Sequence, residues 1–153
     1  MRSTIFISAL LLSNFIYAEE IYPSGCLPVV IKGNSLILSA EKYNIIAVHN
    51  LSKGELWVIN PGYETGFNPL SSKLQAEKWS SLVLNKQLNS YILNCIESSP
   101  GHEQQISCRD TLAVCYWPKA LVPENRKGIF WIGEDMDMLP LTAYLWRLGF
   151  SLS

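Results

Sequence analysis

Between Tyr91 and Trp117 the chain reads YILNCIESSPGHEQQISCRDTLAVCYW. Three of the four cysteines and one of the two histidines of this 153-residue sequence fall here. Two apolar, β-prone runs, YILNCI and TLAVCYW, flank a polar segment containing Ser98-Ser99-Pro100-Gly101. That pattern predicts two strands joined by a loop. With the turn near Gly101-His102, Cys95 faces Cys108 across the hairpin, and the bridge stabilises by about 3 kcal/mol in the chain-entropy model. Cys26 and Cys115 then pair by elimination. The competing arrangement joins Cys95 to Cys115 and treats residues 106–110 as loop. Four cysteines allow three connectivities, and spacing alone leaves the choice open.

An even number of cysteines fits disulfides in an oxidising compartment, and the N-terminus predicts delivery to one. Arg2, an apolar run over residues 5–12, and Ala18 before Glu19-Glu20 have the layout of a secretory signal peptide over residues 1–18. Ile16, three residues before the cut, is bulkier than the small residue usual there. The run is shorter than the roughly 20 apolar residues of a membrane anchor. Later apolar runs are all interrupted by Glu, Lys, Asn or Pro, so residues 19–153 are expected to form one soluble domain, periplasmic or secreted, without a transmembrane span. Loss of Arg2 takes the net charge from −1 to about −2. The densest basic pair is Arg126-Lys127, which makes nucleic acid and acidic lipid poor expectations as partners.

The rest of the chain reads as short strands between Gly, Pro and Asn punctuation. Residues 29–31 and 36–38 are short strand candidates. NIIAVHN, residues 44–50, carries apolar side chains on both faces and is expected to be central. Ser52-Lys53-Gly54 predicts a tight turn, with Gly54 at positive φ, into a return strand at residues 56–59, giving a hairpin. Residues 61–72 read as surface loop, and 73–77 as a short helix or an edge segment. Residues 79–84 alternate, Leu82 and Leu84 on one face, Trp79, Ser81 and Val83 on the other. Residues 129–132 are the last strand candidate. Residues 140–148 predict a short helix, with Asp137 as cap, Pro140 in the first turn and Gly149 as stop; Leu141, Tyr144, Leu145 and Leu148 share its face. The expectation is a mostly β, disulfide-stabilised antiparallel β-sandwich, of cupredoxin-like or related form, with a short C-terminal helix.

Several residues invite chemistry. Cys95, His102 and His49 supply the thiolate and imidazoles of a blue-copper site, and YILNCIESSPGHEQQI resembles a cupredoxin ligand loop in outline. The spacing of Cys95 and His102 is longer than in that loop, Ile106 stands where a weak axial Met is usual, and Cys108 competes for Cys95. The expectation is therefore no metal and no cofactor. Glu134, Asp135 and Asp137 do not match an EF-hand spacing and suit a helix N-terminus. There is no GxSxG elbow, and only His49 and His102 are available as imidazole bases. Five tryptophans (Trp57, Trp79, Trp117, Trp131, Trp146) line a carbohydrate or partner groove, or fill the core; at least three are expected in the core. Asn50-Leu51-Ser52 is a glycosylation sequon.

LNCIESSPGHEQQISC…LAVCYW, FWIGEDM, VHNLSKGELWV and LQAEKW together resemble the enhanced-entry protein EnhB family of intracellular bacterial pathogens over roughly residues 26–150. SPGHEQQ is the most specific part. Family members have a Gly in the run before Trp79, where this chain has Glu77-Lys78, which alters a turn. The resemblance implies an exported bacterial protein linked to entry into host cells and brings no catalytic residues. The expected function is a binding or accessory factor at the envelope or host interface, whose partner is an unidentified protein or surface component. The alternative is a cupredoxin-like copper or redox protein.

Overall fold

The computed structural model describes residues 21–39, 41–60, 71–84, 90–99 and 102–153, and for 98, 99, 102 and 103 the backbone alone. The signal-peptide expectation falls on residues outside this set. In chain order the described strands are β1 (Leu27–Pro28), β2 (Leu36–Leu38), β3 (Ile45–Asn50), β4 (Leu56–Ile59), β5 (Ser72–Leu74), β6 (Trp79–Val83), β7 (Tyr91–Ser99), β8 (His102–Ile106), β9 (Leu112–Tyr116) and β10 (Phe130–Met136). Helix α1 (Cys108–Thr111) precedes β9, and α2 (Met138–Arg147) follows β10.

Alternation sets the layers. In β3, Ile46 and Val48 enter one apolar cluster, Ile45 and Ala47 a second. Leu82 and Leu84 join the first cluster while Trp79 and Val83 join the second, as their alternation implies. Strand β9 divides likewise, Leu112 and Val114 against Cys115. Strands buried on both faces must be central, and these three are adjacent in the first sheet, ordered β1-β9-β3-β6-β10. The second sheet runs β2-β7-β4-β5, with β8 also on β7. All pairings are antiparallel. Leu36, Leu38, Leu56, Val58, Leu74, Leu93 and Cys95 of the second sheet close the first cluster, so the sheets pack face to face as a sandwich.

The outer face of the first sheet is covered by α2, by residues 22–26 and by residues 150–152. Leu141 and Leu145 of α2 are fully buried there with Phe150, Leu152, Trp117 and Cys26. Tyr144 and Leu148 pack at the margin. The helix ends in a Schellman motif: Phe150 N–H donates to Leu145 O at 3.1 Å and Gly149 N–H to Trp146 O at 3.0 Å, with Gly149 at φ +91°. Asp137 holds the N-cap position without a side-chain cap bond. Gly133, at φ +64°, lets β10 pass under α2, because a Cβ there would lie 2.5 Å from Leu141 Cδ1.

Several expectations give way to this topology. β3 has both edges occupied, by β6 and β9, so 56–59 cannot return beside it. The chain instead crosses to the second sheet, where β4 pairs with β5 and β7. Gly54 is not among the positive-φ residues. Likewise YILNCI and TLAVCYW do not pair. β7 turns back into β8, with Ser99 opposite His102, while β9 lies between β1 and β3. HEQQI escapes recognition because an edge strand needs few apolar residues; Gln104 and Gln105 are exposed. Residues 29–31 lie beyond β1 rather than forming a strand, although Val29 N–H donates to Val114 O at 2.8 Å. Residues 72–74 take the edge-strand option rather than helix. β10 runs on to Met136, so Glu134 and Asp135 belong to a strand and not to a helix N-terminus.

Both disulfides take the first-named pairing. Cys95–Cys108 has Cα atoms 5.3 Å apart and Cys26–Cys115 5.5 Å. The path differs from a cross-hairpin bridge: Cys95 lies opposite Ile106, and Cys108 opens α1 just past β8.

Candidate functional site

His49 closes the outer face of β3, opposite Trp79, and the two rings stack with centroids 4.3 Å apart and planes 6° apart. Its Nε2 lies 3.0 Å from Glu77 O. A carbonyl only accepts, so Nε2 carries the proton and Nδ1 the lone pair. Nδ1 is buried without a hydrogen-bond partner. Burial therefore lowers the pKa, opposed by the carbonyl and charge of Glu77. Cys95 faces the core between the sheets and is bonded to Cys108. It offers no thiolate, and its side of the first sheet is opposite to that of His49. His102 opens β8; its side chain lies outside the described set. The copper trio is thus not assembled, and no group of three or more His, Cys, Asp or Glu suited to a metal occurs among the described residues.

The three carboxylates are engaged separately. Glu134 Oε1 accepts from Ser72 Oγ at 2.8 Å, Asp135 Oδ1 from Gln75 N–H at 2.8 Å, and Asp137 Oδ1 from Lys78 Nζ at 2.7 Å. Together they stitch the β10 edge of one sheet to the β5 edge and following turn of the other. That turn places Glu77 at φ +64°, the left-handed region that favours glycine. Its backbone is gripped by the end of β3, because Glu77 N–H donates to Asn50 O at 3.0 Å while its carbonyl receives His49.

Asn50, the sequon asparagine, is fully buried. Its Nδ2 donates to Gly54 O (2.8 Å), Leu74 O (3.1 Å) and Gln75 O (3.2 Å). Its Oδ1 accepts from Ser52 N–H (2.9 Å) and Ser52 Oγ (2.7 Å). One side chain thus bonds to two of the crossings between the sheets, β3 to β4 and β5 to β6. In the folded protein its amide is not open to a transferase.

The tryptophans do not share a groove. Trp79 and Trp117 are buried, Trp117 Nε1 donating to Ser24 O at 3.2 Å. Trp131 packs at the margin of the core, and Trp57 lies under Lys73 Nζ, 5.8 Å from its ring centre. Trp146 is exposed. Two, rather than three, are fully in the core.

No family model, curated protein or solved structure matches this chain.

One arrangement escapes sequence reading. Opposite the stitched side, the sheets end in β1 and β2, with a cleft of ≈ 490 Å³ lined by Ile31, Lys32, Ile37, Lys42, Tyr43 and Tyr116 among others. The tyrosine rings meet edge to face at 4.7 Å, and Lys42 Nζ lies 5.3 and 5.6 Å from their centres. Tyr43 and Tyr116 are far apart in the chain, so no local signal announces the pair.

Proposed function

We propose that this chain is an exported bacterial protein that acts as a binding or accessory factor at the envelope or host interface, in the process by which the bacterium enters host cells. The observation that carries the reading is the enclosure of all four cysteines in two disulfides, one in each apolar cluster. Such bonds persist where thiols are not kept reduced, which fits a site of action outside the cytoplasm. The resemblance to the EnhB family supplies the link to host cells. Two further features support binding over catalysis. The imidazole of His49 is committed to Glu77 O, and the acidic residues of β10 and the α2 N-cap are committed to the stitched side. What the surface offers instead is the β1/β2 cleft.

The test is to express the full chain with its own leader in its bacterial host and determine the N-terminus and thiol state of the product. The reading expects chains beginning at Glu19 in the periplasm or medium, without alkylatable thiol. It also expects a deletion strain with reduced host-cell invasion, restored by the gene. A product that keeps residues 1–18 and four free thiols in the cytosol, or invasion untouched by deletion, overturns it.

A further inference from the structure

The two long sides of the sandwich are built differently. One is stitched by three carboxylates; the other is left open between the edges of β1 and β2. We propose that this open side binds an extended segment of a partner protein, with alternating acidic and apolar residues, added as a strand along the free edge of β2. The proposal deepens the binding reading above and rests on it for the partner being another polypeptide.

The edge comes first. β2 pairs with β7 on one side and has no strand on the other among the described residues. Its sequence, Leu-Ile-Leu, contains no proline and no charge, the usual devices that keep an edge from pairing. An unpaired row of backbone donors and acceptors is the template for strand addition. Leu36 and Leu38 point inward and are fully buried, whereas Ile37 points outward and is 65% exposed. Ile92, its direct cross-strand neighbour, is 42% exposed, and Val30 on the cleft rim is 78% exposed. An added strand would lay one set of side chains beside Ile37 and Ile92 and the alternate set into the cleft.

Charge then selects the partner. Lys32 and Lys42 line the cleft, and no Asp or Glu among the described residues does. Neither lysine has an ion-pair partner among the described residues. Lys42 is held over the two tyrosine rings, so its ammonium is positioned before any ligand arrives. Inward-facing carboxylates would meet these cations, and outward apolar side chains would cover Ile37 and Ile92. A second copy of this chain is the poorer occupant, because pairing β2 with β2 brings the same lysines towards one another. With three residues the edge supplies few backbone bonds, so side chains must provide most of the affinity and the specificity.

The test uses the oxidised, ¹⁵N-labelled protein and an end-capped octapeptide of alternating valine and glutamate, with a valine–lysine peptide as comparison. The expected result is saturable shifts of amides in residues 29–33 and 36–38 and at Tyr43, with slowed hydrogen exchange along β2. Affinity should fall at least tenfold in Ile37→Glu and in Lys42→Glu, both at the surface, and stay unchanged in Lys73→Glu on the far edge. Absence of saturation at about a millimolar peptide overturns the proposal. So does equal binding of the lysine peptide, or β2 amides that shift with protein concentration alone, which would mean self-association. If the valine–glutamate peptide does not bind while the deletion strain still loses invasion, the cleft assignment fails and the wider binding reading stands. If the peptide binds as expected but the chain is retained in the cytosol, the reverse holds.

Discussion

Replacing Asn50 by Asp changes one NH₂ to one oxygen and tests whether that side chain holds two of the sheet crossings. Asn50 sits at zero exposure with Nδ2 facing three carbonyls and Oδ1 facing two Ser52 donors. The amide has only two N–H groups, so the three Nδ2 contacts are worth about two ordinary bonds, or roughly 2 kcal/mol net. Asn50→Ala removes these and leaves buried carbonyls unsatisfied, for a loss of about 2–4 kcal/mol that does not depend on the side chain's own titration. Asn50→Asp keeps the Ser52 contacts but, when ionised, aims a carboxylate at three carbonyl oxygens in the interior. The expected loss at neutral pH is about 3–5 kcal/mol, the range for an uncompensated buried charge. The sign with pH follows from linkage. The folded state raises the pKa of the introduced carboxyl above its unfolded value near 3.9. Stability relative to wild type is therefore greatest below that unfolded value, where the acid can donate one O–H, and falls as pH rises through the folded pKa. The assay is urea unfolding of the oxidised proteins between about pH 4 and 8, comparing ΔG at constant m. An Asp variant within about 0.5 kcal/mol of wild type at neutral pH, or a penalty that grows on acidification, would refute the argument.

Two further outcomes are expected. In the chain-entropy model the Cys26–Cys115 bridge, with its sequence separation of 89, contributes about 4.6 kcal/mol, and Cys95–Cys108, with a separation of 13, about 2.9 kcal/mol; paired Cys→Ala variants should show the larger loss in denaturant midpoint for the first, and the reverse order would count against the model. For His49 the folded pKa is lowered, chiefly by burial, so its contribution is fully present above the unfolded value near 6.5 and is lost as pH falls through the folded one. His49→Gln should remove a fraction of the ~1.4 kcal/mol per pH unit that one full proton would give over that interval, measured as the difference from wild type, and identical pH profiles would contradict the assignment.

Local alternation carried through to three dimensions, and pairing did not. Ile45 to Val48 and Trp79 to Leu84 show in their order alone which side chain goes to which face, because a strand's period of two is an intrinsic property of the backbone. The two faces then fall into the two clusters observed. What a turn connects is a different matter. Ser52-Lys53-Gly54 has hairpin chemistry, yet the Asn50 side chain bonds to Ser52 and Gly54 and to the distant Leu74 and Gln75, so the same residues make a crossing between sheets. The deciding partners are far along the chain, and no window around Gly54 contains them. The sequon shows the same limit, since a three-residue pattern carries no burial. Among the candidate site residues, the cysteine pairing was legible as one of three possibilities, whereas the separation of His49 from Cys95 by a whole sheet depends on β3 and β7 lying in different layers.

The contrast between the two sides of the sandwich follows from where charge stands along the edges. The acidic residues of β10 and the α2 N-cap face an edge strand and turn carrying Ser72, Gln75 and Lys78, and each finds a donor there. Exposed ion pairs are individually weak, but the set includes a backbone N–H and a serine hydroxyl whose alternative is to compete for water at a seam. At the opposite side the cations Lys32 and Lys42 stand beside Leu36–Leu38, and no acidic residue among the described residues lines the cleft between the edges. A single sign of charge beside this short apolar edge repels another copy of the same edge and leaves it able to accept a strand of opposite sign. The same residues thus serve against self-association and for a complementary partner. It follows that neutralising the pair together, as Lys32→Gln with Lys42→Gln, should weaken partner binding and, by removing the repulsion between like edges, raise the chain's tendency to self-associate in sedimentation experiments; a merely solvating role for the two lysines would move neither.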